Sequence, residues 1–146
     1  MVLSPSAAAE LGRLAAAAYP SEGCGVLVGA VGADDALAVR SVTSGANLAA
    51  RGRDRFELDP LAILRAERAA REVGLEVLGF WHSHPDHPAV PSRLDTERAW
   101  AEYLYVIVSS SADGAGDVRG WRLLPGADGF GEVGMAVDGV AAEAGR

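Results

Sequence analysis

Apolar residues change their spacing several times along this chain, and each change marks an element. Over residues 5–18, Leu11, Leu14 and Ala18 fall at helical spacing, Ser4 can cap, Pro5 suits the first turn and Pro20 stops the run, which predicts a helix. The pattern then becomes β-rich over residues 24–31 and 36–42, with the turn residues Gly32, Ala33, Asp34 and Asp35 between them, as in a hairpin. Residues 44–55 are polar and irregular, and Phe56-Glu57-Leu58 predicts a brief strand. Asp59-Pro60, an N-cap followed by proline at the first helical position, opens a second helix; its apolar stripe is Ile63, Ala66, Ala70 and Val73, and Gly74 ends it.

From Glu76 to His84 both alternating faces are apolar, with Val77, Gly79 and Trp81 on one and Leu78, Phe80 and His82 on the other. That pattern predicts a strand inside a sheet, covered on each side. Residues 86–91 form a proline-rich loop, and Ser92 begins a third helix to about Glu102. Further strands are predicted at 104–109, at 118–124 and through the alternating Val133, Met135 and Val137. Six or more strands with three unevenly placed helices indicate an α+β (α/β/α-like) fold with a mixed sheet flanked by helices on both sides. Residues 138–146 are small and polar, and are expected to fray.

Composition sets bounds on function. A chain of 146 residues and 15.1 kDa fits one domain, since a single core occupies ~100–200 residues. The formal net charge of -7 argues against partners bound by neutralising phosphates, whether nucleic acid or anionic lipid. All 13 basic residues are arginine, which reads as genome composition. Arg51, Arg53 and Arg55 read as a solvated loop, and docking of an acidic partner is the sharper alternative. The single cysteine, Cys24, excludes an internal disulfide and points to a reducing compartment. Met1 to Pro20 has no early arginine and is interrupted by Glu10 and Arg13, unlike a secretory signal, and no run approaches the ~18 apolar residues of a membrane span. A cytoplasmic protein is expected.

Chemistry concentrates around His82. His82 and His84 stand two apart at the end of the apolar strand, so their imidazoles emerge on one face and Ser83 on the other. Two imidazoles side by side on a rigid strand suit zinc. Asp95, at the third position after the N-cap Ser92, is a third ligand that free N–H groups of the helix start can orient. A His-His-Asp set leaves one position open, which separates catalytic from structural zinc. Glu22, at a loop-to-strand junction before Gly23-Cys24-Gly25, is the candidate general base. Ser92 either donates to a developing oxyanion or closes a capping box with Asp95. His87, a fourth-ligand candidate by type, reads as an exposed loop residue, Cys24 as a small buried or rim thiol facing the cleft, Trp81 and Trp100 as core with Trp100 alone able to border the site, and Gly79 as a point of close strand-to-helix approach.

Glu22 before Cys24-Gly25, then His82-Ser83-His84-Pro85, seven residues, Ser92, two residues and Asp95 together resemble the signature of the JAMM (MPN+, JAB-domain) zinc metalloproteases. Asn47, Phe56, Asp59-Pro60, Gly79-Phe80, Pro91 and Trp100 also resemble the small bacterial branch, so the likeness covers residues 1–137. It implies a single JAB/MPN domain with a mixed, mostly antiparallel sheet, cytidine-deaminase-like in fold. It also implies His82, His84 and Asp95 as ligands of one zinc ion, Glu22 as base and Ser92 as oxyanion donor. The partner it implies is a ubiquitin-like sulfur-carrier protein ending in Gly-Gly, cut after that tail, with residues 44–56 and 86–91 as walls of the groove; a homodimer stays open. Insertions that eukaryotic deubiquitinating members use are missing, so a deubiquitinase-like isopeptidase on other protein conjugates is the alternative. A thiol hydrolase using Cys24 and a non-catalytic MPN scaffold are readings from other classes.

Overall fold

The structure is a computed structural model that describes residues 1–49, 56–125 and 129–138. The arginine run Arg51 to Arg55 and residues 139–146 lie outside the described residues. Helix α1, Pro5–Ala18, begins where the Ser4 side chain accepts from the Ala7 N–H. It buries Ala7, Leu11 and Ala15. Helix α2, Pro60–Glu72, is capped in the same way by Asp59, which accepts from the Leu61 N–H, and buries Ala66 and Ala70. Val73, predicted to belong to its stripe, is instead 69% exposed, because the helix has ended by then and Gly74 (φ 72°) turns the chain away.

Among the described residues the strands form one sheet in the order β7-β6-β5-β4-β2-β3-β1-β8. They are β1 (Val2–Leu3), β2 (Cys24–Val31), β3 (Leu37–Ser44), β4 (Glu76–Pro85), β5 (Leu104–Ser111), β6 (Gly114–Leu123), β7 (Phe130–Val133) and β8 (Ala136–Val137). The β2–β3, β2–β4, β5–β6 and β6–β7 pairs are antiparallel, and β1–β3, β1–β8 and β4–β5 are parallel. The sheet is therefore mixed and mostly antiparallel, as expected. The predicted hairpin is β2–β3, and its turn is a single 3₁₀ turn, Ala33–Asp35.

Four expectations need correction. Val133, Met135 and Val137 do not share a strand: β7 and β8 sit at opposite ends of the strand order, joined only by Gly134-Met135, so the sheet curls until its edges meet. The amino group of Met1 fastens that junction by donating to the Gly134 carbonyl at 2.9 Å. β6 starts at Gly114, not at 118, because a tight turn with Gly114 at φ 116° pairs it directly with Ser111. Residues 56–58 contribute one bridge, Asn47 to Leu58, and no strand. The third helix, α3, spans only Arg93–Arg98; the chain leaves it at Ala99 so that Tyr103 and Trp100 can set their rings edge-on to Phe80, at 5.1 and 6.1 Å.

Strand β4 lies inside the sheet, hydrogen-bonded to β2 and β5. Its alternation slips once. A register shift against Leu27 and Val28 leaves Leu78 unpaired, so Leu78 and Trp81 enter the core under α1 while Val77 and Phe80 enter the core under α2. Helices thus cover both faces. Gly79 does allow a close approach, but to a strand: a Cβ there would stand 1.8 Å from the Leu104 carbonyl oxygen of β5.

Candidate metal centre

The imidazoles of His82 and His84 leave β4 on one face, as their spacing predicts, while the Ser83 hydroxyl accepts from the Gly23 N–H at 2.7 Å. Asp95 reaches them from the first turn of α3. There Ser92 and Asp95 close a reciprocal capping box: Ser92 Oγ accepts from the Asp95 N–H at 3.1 Å, and Asp95 Oδ2 from the Ser92 N–H at 2.8 Å. With its oxygen engaged as an acceptor, the Ser92 hydroxyl keeps a proton to donate into the cavity it lines.

His82 Nε2, His84 Nε2 and Asp95 Oδ2 form a triangle with edges of 3.1, 3.2 and 3.2 Å. A Glu22 carboxylate oxygen and the two imidazole ligand atoms all lie within 4.8 Å of one another. Glu22, His82 and His84 are therefore close enough to bind a metal ion, with Asp95 against both histidines. His84 Nδ1 stands 2.8 Å from the Pro88 carbonyl. A carbonyl can only accept, so Nδ1 carries a proton, and Nε2 is the nitrogen left to ligate when the ring is neutral.

Burial and Asp95 act in opposite directions on both imidazoles. Burial pushes the His82 pKa below the ordinary imidazole value, against the pull of Asp95, so the ring favours its neutral, ligating form. Burial also acts to lower the pKa of His84, but hydrogen bonds to Asp95 and Pro88 and the charges of Asp95 and Glu22 outweigh it and raise the net value. For Asp95, burial is overcome by the two imidazoles and the Ser92 N–H, which hold its carboxyl well below the usual range.

The triangle opens into a cavity of about 410 Å³ whose apolar wall includes Phe56, Leu58, Ile63, Phe80, Trp100 and Tyr105. None of residues 86–91 lines it; α3 forms that wall instead, while Pro88 orients His84 and Asp86 and His87 border a separate depression. β4 has a neighbour on each side, so an incoming peptide cannot add to the histidine strand itself. Trp100, 55% exposed, borders the cavity, whereas Trp81 is core and donates to the Thr43 carbonyl at 2.8 Å.

Cys24 does not line the cavity. It is buried, pairs in register with His82, and sits beside the Gly45 and Ala46 carbonyls. Burial, and then the charge of Glu22, push its thiol up to about 12. A raised folded pKa keeps the thiol protonated at neutral pH, the opposite of what a nucleophile needs. Iodoacetamide at pH 8 should accordingly label the native protein at least ~10³-fold more slowly than the denatured chain, whose thiol returns to a pKa of ~8.5, as followed by intact mass. Labelling at the denatured rate would contradict this placement.

Two residues of the site carried no chemical signal of their own in the sequence. Asn47 donates from Nδ2 to the Glu22 carbonyl at 3.2 Å and accepts the Glu57 N–H on Oδ1 at 2.9 Å, tying Glu22 to the loop. Arg98 donates to the Phe56 carbonyl at 3.0 Å. Its position one turn after Asp95 on a helix was the readable hint.

The chain matches the profile described as prokaryotic homologs of the JAB domain over residues 4–124. It is 38% identical over 120 residues to a protein named desampylase from Haloferax volcanii, covering 82% of this chain and 80% of that one. It is 41% identical over 68 residues to a probable TtuB-protein conjugate cleaving protease from Thermus thermophilus, covering 47% and 43% of the two chains. The crystal structure of a JAB1/MPN domain protein from Archaeoglobus fulgidus has the same fold, with a TM-score of 0.56 at 18% identity, covering 94% of this chain and 98% of that one. Among the described residues no helix is long and apolar enough to cross a membrane.

Proposed function

Since the chain belongs to the prokaryotic homologues of the JAB domain, we propose that it is a zinc-dependent isopeptidase that hydrolyses the amide bond after the C-terminal Gly-Gly tail of a ubiquitin-like sulfur-carrier protein. The observation that carries this reading is the triangle of His82 Nε2, His84 Nε2 and Asp95 Oδ2 beside Glu22. Its edges come near the ~3.3–3.4 Å that separates tetrahedral ligands held ~2.0–2.1 Å from zinc. The two imidazoles and one carboxylate are also the donors that zinc prefers at catalytic sites. The names of the relatives, one a conjugate-cleaving protease, support a protein conjugate as the substrate.

His82, His84 and Asp95 would hold the ion, which when bound supplies a Lewis acid for the scissile carbonyl and lowers the pKa of the attacking water. Glu22, 7% exposed and lining the cavity, takes the water proton on its carboxylate and returns it to the leaving amine. Ser92 Oγ–H donates to the oxygen on which negative charge develops, and the helix keeps that hydroxyl in place through the Asp95 N–H. The side-chain-poor tail enters between Phe56 and Leu58 on one side and α3 on the other. Its two glycines let the carbonyl come close to the triangle.

The test is to incubate zinc-loaded protein with a Gly-Gly-ended carrier joined to an amine and to weigh the products. Cleavage after the second glycine with uptake of one water is expected. An intact conjugate, or a cut elsewhere in the carrier, overturns the reading. Ser92→Ala should lower kcat by about 10²–10³-fold. It should also cost the fold about 1 kcal/mol through the lost N-cap, visible in urea denaturation. A kcat within a few-fold of the parent would reduce Ser92 to its capping role.

A further inference from the structure

We propose that Phe56 is a positioning residue for the metal ligand His82, held in place by Arg98; the proposal rests on the zinc-centre reading above. The two histidines are secured differently. His84 has the Pro88 carbonyl behind it at 2.8 Å, the usual arrangement for a ligating imidazole. His82 is 2% exposed, and its Nδ1 is buried with no hydrogen-bond partner among the described residues. No hydrogen bond to Nδ1 therefore braces the ring from behind, yet its rotation about Cβ–Cγ decides whether Nε2 points into the triangle.

A stacked ring takes over that task. Phe56 lies against the imidazole with centroids 4.4 Å apart and planes only 20° from parallel, whereas the His84 ring is tilted by 58°. Turning the imidazole would drive its edge into the Phe56 face. Phe56 is in turn held from its carbonyl onward. Arg98 Nη1 donates to its carbonyl at 3.0 Å, and the next residue, Glu57, donates its N–H to Asn47 and accepts from the Leu48 N–H at 2.7 Å. Arg98 stands one turn after Asp95 on α3, so the short helix that presents one ligand also clamps the cover of another.

The test measures zinc affinity of the whole protein by competition with a chromophoric chelator, with the visible spectrum of the cobalt-substituted protein as a signature of ligand geometry and the apo melting curve as a folding control. Phe56→Ala should weaken zinc binding by about 10–100-fold, the range seen when an outer partner of a ligating histidine is lost, and should alter the cobalt spectrum. Phe56→Tyr, which keeps the stacked ring, should restore both. Arg98→Met should weaken binding less, and adding it to Phe56→Ala should cost nothing more, because Arg98 acts through Phe56. Parent affinity in folded Phe56→Ala overturns the proposal. If that variant does not fold, parent affinity and spectrum in Phe56→Leu overturn it equally. Full additivity of the two losses removes the role of Arg98. Failure of the zinc-centre reading looks different: the parent itself binds no zinc, or His82→Ala binds it unchanged.

Discussion

Glu22→Gln is expected to keep one zinc ion per chain and to lose about 10²–10⁴-fold in kcat, the range that a well-placed general acid–base group contributes. The substitution is nearly isosteric and removes only the ability to take and return a proton. Little else should move, because the peptide unit between Glu22 and Gly23 is held at both its carbonyl and its N–H. The Glu22 carbonyl accepts from Asn47, and the Gly23 N–H donates to Ser83 on the histidine strand. The carboxylate is close enough to raise the pKa of both Cys24 and His84, which locates its charge beside the imidazoles without assigning it as a ligand. Metal content by elemental analysis, read together with single-turnover rates, separates the two roles. A variant that loses zinc as readily as a ligand variant would make Glu22 part of the metal set, and one with full activity would leave the base unassigned.

The parts of the site that could be read from sequence are those fixed by local geometry. Strand alternation alone brings His82 and His84 to one face, and the Ser92-to-Asp95 spacing alone makes a capping box, whatever the rest of the chain does. Caps at Ser4 and Asp59 likewise announce α1 and α2. What stayed hidden depends on residues far apart in the chain. The Leu78 bulge arises from pairing with β2, the length of α3 from docking Trp100 and Tyr103 on Phe80, and closure of the sheet from two-residue strands too short to show a period. Cys24 stands two residues from Glu22 and opposite His82, so local alternation puts it on the site's side of the sheet; what keeps it off the cavity surface is its burial against the Gly45 and Ala46 carbonyls, far from it in the chain. The cavity wall illustrates the same limit: Pro88 is near His84 in sequence and acts behind it, while Tyr105 and Phe56, remote in sequence, line the opening.

The second large effect is expected at Asp95, whose Oδ2 serves three partners at once, His82, His84 and the Ser92 N–H. Asp95→Ala should abolish measurable turnover and weaken zinc binding by more than the 10–100-fold that loss of an outer partner costs. It also opens half of the capping box, worth about 1 kcal/mol, so the apo protein should melt slightly lower. Asp95→Asn separates the two contributions. Its amide oxygen can still accept from the Ser92 N–H and keep the helix start, but it brings no charge to the triangle, so stability should return while zinc affinity and turnover do not. The sign of the pH effect follows from the same contacts. Because the Asp95 carboxyl is held well below the usual range, it stays ionised through neutral and mildly acidic pH, and its contribution to stability is lost only as pH falls below the ordinary carboxylate range. Zinc released on mild acidification of the parent should therefore track protonation of the imidazoles. Chelator competition at several pH values checks this: recovery of zinc binding by Asp95→Asn at any pH would show that the carboxylate serves the helix and not the metal.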